Sequence, residues 1–252
     1  MNFLSYSNVF NSLYKTEIDD LKLHIDSILK DAWGKFPDDF IEKHVLRSQK
    51  IVLAKENNEY VGFCCVSIKN VLEKKIHYIE FLVVKKAFQN MNLGSKLLGM
   101  TMRNSLIKIV PIILFNPFEV MFITPNVRVL TWMAKFAKYI YPNPCLSNKE
   151  GVILPADDTT WKMAQDIIRQ SDMPHRKIYR GGLVLEGSYQ RTPWLIYQID
   201  DIPWSNNPDK RINKFAEKYL NYKKREGKEF VVRAQFGFLS IVKYIVSLVK
   251  KI

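Results

Sequence analysis

Ile76-His77-Tyr78-Ile79-Glu80-Phe81-Leu82-Val83-Val84-Lys85-Lys86-Ala87-Phe88-Gln89-Asn90-Met91-Asn92-Leu93-Gly94-Ser95-Lys96-Leu97-Leu98 is the stretch whose reading decides the fold. Its first nine residues are rich in β-branched and aromatic side chains, as strands are, and Leu93, Leu97 and Met100 then recur at helical spacing. A strand that passes through a tight loop straight into a helix aims several backbone N–H groups, with the positive end of the helix dipole, at one point. That point suits a phosphate or pyrophosphate. Gly94 permits close backbone approach there, and Asn90 and Asn92 tolerate the positive φ that such a turn needs. The alternative is a plain strand-to-helix connection.

Working outward, Asn2–Val9 reads as a strand and Glu17–Trp33 as a helix with Ile18, Leu21, Ile25, Ile28 and Leu29 on one stripe. A shorter helix is expected over Pro37–Leu46. Ile51–Lys55 and Glu59–Ile68 then read as a hairpin around Glu56-Asn57-Asn58. Beyond the central stretch, Ile109–Phe118 carries Pro111 and Pro117 and reads as an apolar loop or lid. Val120–Thr124 is a short strand, and Asn126 caps a helix that runs to Tyr141, before Pro142. A helix from Asp157 or Asp158 to about Gln170 lies in an apparent insertion, about 143–176, and Lys177–Leu185 and Trp194–Ile199 alternate like strands. From Asn206 the composition shifts: a basic amphipathic helix, Pro208 to about Arg225, precedes an apolar helix from about Ala234 to Lys251. The order of elements is that of an α/β fold with a mixed sheet.

The run Val84-Lys85-Lys86-Ala87-Phe88-Gln89-Asn90-Met91-Asn92-Leu93-Gly94 resembles the coenzyme A loop of the GNAT acyltransferase superfamily. Gln89 and Gly94 match the family's pattern, and Asn92 stands where the family has its middle glycine. Glu59-Tyr60-Val61-Gly62-Phe63 resembles the family's third strand, and Phe122-Ile123-Thr124-Pro125-Asn126 resembles its fifth strand with the asparagine that opens the next helix. The resemblance implies a mostly antiparallel mixed sheet flanked by helices, here with a C-terminal helical extension. It covers about residues 1–142 and the Lys177–Ile199 strands, and with the shift in composition at Asn206 the chain reads as a GNAT-like domain, 1–205, and a basic extension, 206–252. The resemblance also implies direct attack by an amine or hydroxyl on the thioester of acetyl- or another acyl-coenzyme A, with N-acetyl transfer as the first expectation. The pantetheine arm would pair with Leu82, Val83 and Val84. The pyrophosphate would rest on Gln89, Asn90, Met91, Asn92, Leu93, Gly94 and Ser95, with Asn126 also at the coenzyme. Where the family often places a tyrosine acid, this chain has Met133; Tyr139 and Tyr141 lie nearby but shifted, with Tyr139 taken as the candidate and water or a backbone amide as the alternative.

The reaction needs a base for the attacking group. Glu80 lies inside an apolar strand on the same face as Tyr78 and Leu82, which makes it the candidate base; its alternative is a structural carboxylate. His77 falls on the opposite face and reads as a packing residue. His24, His44, His77 and His175 have no metal-ligand spacing, so no metal is expected.

The chain has 252 residues and a formal net charge of +13, of which +8 lies in residues 206–252 (12 Lys/Arg against 4 Asp/Glu). Anionic membrane is a candidate partner for 208–252. Nucleic acid is disfavoured because no reader motif is present. Three cysteines, two of them adjacent, build no disulfide framework and point to a reducing, cytoplasmic setting, with attachment to a membrane surface as the variant. The acceptor is expected to be a small-molecule or peptide amine. The rival functions are a non-catalytic GNAT-like binding module and a membrane-surface enzyme that takes long-chain acyl donors.

Overall fold

The computed structural model describes residues 1–102, 117–171, 175–187, 207–221, 227–240 and 242–243. Its contacts divide the chain into two compact units, Met1–Ile68 with His77–Val110, and Lys69–Ile76 with Pro111–Ile252.

Strands β1 (Asn2–Ser7), β2 (Lys50–Glu56), β3 (Glu59–Val71) and β4 (Lys74–Val84) are neighbours in that order and belong to the first unit, apart from residues 69–71 of β3 and 74–76 of β4. The hairpin between β2 and β3 turns on Asn57 and Asn58, both at positive φ (47° and 65°), as a two-residue turn matched to strand twist requires. A four-residue helix, α1 (Val9–Ser12), leads into α2 (Lys15–Ala32). The apolar stripe of α2 buries Leu21, Ile25, Ile28 and Leu29, as expected. The helix expected over Pro37–Leu46 is reduced to one wide turn, Ile41–Val45. A third helix, α3, starts at Leu93 and is described over 93–102.

In the second unit, β5 (Phe118–Thr124) pairs antiparallel with β9 (Glu229–Phe236), from Phe118 opposite Phe236 to Thr124 opposite Phe230. The other edge of β9 is shared by β8 (Val184–Leu185) and β6 (Tyr139–Tyr141), and β8 pairs with β7 (Ile178–Tyr179). Helices α4 (Val127–Ala134), α5 (Asp158–Arg169) and α6 (Lys210–Leu220) complete this unit.

Two expectations are corrected here. The helix opened by Asn126 stops at Ala134, and Tyr139-Ile140-Tyr141 is strand β6. These β-favouring residues find hydrogen-bond partners on β9, where Tyr139 faces Gln235 and Tyr141 faces Arg233. The stretch read as an all-helical extension contains β9, so the helix expected from Ala234 cannot begin before Gly237; described helical residues resume at 238. Helix α6 forms where the basic amphipathic helix was expected, but its apolar side (Ile212, Phe215, Ala216, Leu220) is buried within the second unit, with Phe215 stacked on Phe230 at 5.1 Å. That side is therefore not available to lipid. Among the described residues no helix is long and apolar enough to cross a membrane. Residues 109–116 of the expected lid Ile109–Phe118, the strand Trp194–Ile199 and the final residues 244–252 lie outside the described residues, while Phe118 opens β5.

Candidate functional site

The loop after β4 is shaped from both ends. Upstream, β4 is packed so closely on β3 that a Cβ at Gly62 would lie 2.9 Å from the Val83 carbonyl oxygen and 3.1 Å from Leu97 Cδ1. Only glycine at position 62 lets β3, β4 and α3 meet this way. Lys85 N–H then donates to Val61 O at 2.9 Å, and Lys86 N–H donates to Asp31 Oδ1 at 2.6 Å. A single tight turn, Lys86–Phe88, ends in extended Gln89, whose Nε2 donates back to Val84 O at 3.0 Å.

Asn90 and Asn92 adopt φ of 66° and 58°. The conformational expectation is met: asparagine is among the non-glycine residues that most readily visit the left-handed region, and both positions occupy it. Lys96 N–H bonds to Asn92 O at 3.1 Å and opens α3, whose first turn carries Gly94 and Ser95. Leu93 is buried and anchors the loop's far end. Among the described residues a Cβ at Gly94 would meet Leu82 Cδ2 at 3.7 Å, an ordinary van der Waals contact, so the backbone here is not crowded.

Glu80 sits half-buried on β4 between Ile79 and Phe81. Burial pushes the Cys65 thiol well above its usual range, and the Glu80 carboxylate adds to it. Cys64 and Cys65 are fully buried thiols, as read from their strand, and Cys64 is pushed up to about 12. His77 is buried too, and desolvation, aided by the Lys50 charge, lowers its pKa to about 4. It is therefore neutral at pH 7, as a packing residue would be. Lys50 itself donates to the carbonyls of Met100 and Thr101 in α3 at 3.1 and 2.7 Å.

Tyr139 and Asn126 belong to the second unit. Asn126 Oδ1 accepts from Arg128 N–H at 3.0 Å, so its side chain caps α4. The Tyr139 hydroxyl donates to Asp157 Oδ2 at 2.8 Å and lies 2.8 Å from Thr160 Oγ1, while its ring lies under the Arg233 guanidinium at 5.4 Å. Burial, reinforced by the Asp157 carboxylate, pushes the phenol up to about 12. Arg233 in turn donates to Thr160 Oγ1 at 2.8 Å and to Glu119 Oε1 at 2.6 Å. The sequence carries no signal for this network, because Arg233 and Glu119 are 114 residues apart. Asp31, tied to the loop from 55 residues away, escapes sequence reading for the same reason. Among the described residues no group of three or more His, Cys, Asp or Glu is placed to hold a metal ion.

The model of the acetyltransferase (GNAT) family matches residues 16–103, a segment that contains α2, β2, β3, β4, the loop and the described part of α3. The matched segment covers about a third of the 252 residues. Solved structures similar to the chain include Escherichia coli ElaA, 12% identical with a TM-score of 0.38, covering 56% of this chain and 92% of that one. An aminoglycoside N-acetyltransferase in complex with CoA is 15% identical, with a TM-score of 0.32 and coverage of 42% and 70%. A GCN5-related glucosamine N-acetyltransferase region in a fungal multi-domain β-N-acetylglucosaminidase is 18% identical, with a TM-score of 0.37; it covers 71% of this chain, which spans only 17% of that protein. No curated protein matches the chain.

Proposed function

We propose that the chain is an acyl-coenzyme A-dependent acyltransferase that moves an acyl group, in the first instance acetyl, to an amine of a small molecule or peptide. The observation that carries this reading is the loop from Val84 to Ser95: a strand end, two left-handed asparagines and a helix start, inside the GNAT-matching segment. The amides from Gln89 to Ser95 hold the pyrophosphate, aided by the positive end of α3, and the pantetheine arm lies along Leu82, Val83 and Val84.

The acceptor nitrogen attacks the thioester carbonyl; a C–N bond forms, the C–S bond breaks, and coenzyme A leaves as the thiolate. Glu80 takes the amine proton, directly or through a water. Tyr139 stays protonated throughout the neutral range, as a proton donor must, but its proton is directed at Asp157. We therefore assign Tyr139 to holding β6 against the start of α5 and not to the thiolate. The Asn126 side chain is engaged as the cap of α4, and we assign it no role at the coenzyme.

Calorimetric titration with coenzyme A and acetyl-coenzyme A tests the reading. Binding is expected at micromolar concentration, and the absence of any heat at millimolar concentration would end it. With a panel of amines, Glu80→Gln is expected to slow thiol release by about 10²-fold or more with coenzyme affinity unchanged.

A further inference from the structure

We infer that Asp31 is a positioning residue for the loop that follows β4; the inference rests on the acyl-coenzyme A reading of that loop. Asp31 lies in the last turn of α2, where a negative charge opposes the helix dipole and works against the helix that carries it. The other acid of that turn's neighbourhood, Asp26, is matched by Lys30 at 2.5 Å. What Asp31 does instead is accept the Lys86 N–H at 2.6 Å, one residue after Lys85 has bonded to Val61 O. The Lys85 ammonium, on a side chain only 11% exposed, pairs with Glu59 at 2.7 Å.

These ties fix the chain's path at 85 and 86, and buried Leu93 fixes it at the other end. Between them run exposed Gln89, Asn90, Met91 and Asn92, with backbone directions set by the two ends. The turn Lys86–Phe88 joins the fixed part to the exposed part, and Asp31 holds its first residue. A loop that spends only a fraction of its time in the binding shape loses affinity by that fraction. Asp31 raises the fraction without touching the ligand.

The test uses the full chain, with coenzyme A as the probe in calorimetry and amide hydrogen exchange over 86–92. Asp31→Ala is expected to weaken coenzyme A binding about tenfold and to speed exchange over the loop. Asp31→Asn keeps an oxygen that can accept the same N–H, and is expected to stay within about threefold of the parent. A merely structural role would move the melting temperature and not this split between the two variants. Parent-like affinity in Asp31→Ala overturns the inference, as does equal weakening in both variants. Should the parent itself fail to bind coenzyme A, the acyltransferase reading falls. The tie is then judged by exchange alone: faster loop exchange in Asp31→Ala but not in Asp31→Asn upholds it, and unchanged exchange removes it.

Discussion

Arg233 on β9 donates through Nη2 to Glu119 Oε1 on β5 at 2.6 Å, and the side chains are 7% and 9% exposed. In the β5–β9 register Glu119 faces Gln235, so the pair bonds diagonally across the ladder. Arg233 Nε and Glu119 Oε2 are buried with no hydrogen-bond partner among the described residues, so the pair is held in place without being fully satisfied. Removing Arg233 leaves the buried Glu119 charge with the neutral donor Gln235 Nε2 at 2.5 Å, and removing Glu119 leaves the Arg233 charge buried against Thr160 Oγ1. Arg233→Met is expected to cost about 3–5 kcal/mol of unfolding free energy, whereas Arg233→Met with Glu119→Leu recovers most of that loss. Urea denaturation of the two variants measures the difference, and a double variant as unstable as the single one would contradict the account.

Gly62 is the point at which sequence dictates the geometry of the loop that follows β4. A methyl group there meets the Val83 carbonyl, which cannot swing aside without breaking the strand. Gly62→Ala is expected to destabilise the protein by about 1–3 kcal/mol and to weaken coenzyme A binding, because β4 must shift where it enters the loop. Thermal melting and calorimetry report the two effects separately.

Most of the first unit was legible, because its signals are local. The stripe of α2, the Asn57-Asn58 turn and the strand–loop–helix run from Ile76 to Leu98 each declare themselves within about twenty residues. The errors came where tertiary pairing outweighs local pattern. Tyr139-Ile140-Tyr141 continues a helical periodicity on paper, yet β9 offers it a ladder. Glu229–Phe236, with Phe230, Val231, Val232 and Ala234 all buried, is an apolar run that a reader places equally well before a buried helix or in a central strand. Asp31 and Arg233 were invisible as partners for a different reason: an ion pair or a side-chain tie leaves no periodicity behind.

Asn92 offers a direct check on the loop's shape. Its φ of 58° is accessible to asparagine and glycine and strained for a β-branched residue. Asn92→Gly is expected to bind coenzyme A within about twofold of the parent. Asn92→Val carries a left-handed penalty of roughly 1–2 kcal/mol, and affinity should fall by up to about tenfold or somewhat more. Equal affinity in both variants would mean that the left-handed turn is not required for binding.

His77 sets a pH dependence for folding. Its pKa is near 6.5 in an unfolded chain and about 4 in the fold, because burial penalises the imidazolium. Above pH 6.5 both states are neutral and His77 contributes no difference. Between pH 6.5 and 4 the unfolded chain takes up a proton that the native state refuses, so stability falls as pH falls through that window and levels off below it. The shift amounts to roughly 3 kcal/mol at the acid end. His77→Gln, neutral at every pH, should have a smaller loss of stability between pH 7 and pH 4 than the parent by about that amount. Urea midpoints for the two proteins at pH 7, 5 and 4 give the comparison, and parallel curves would assign the acid sensitivity to other groups.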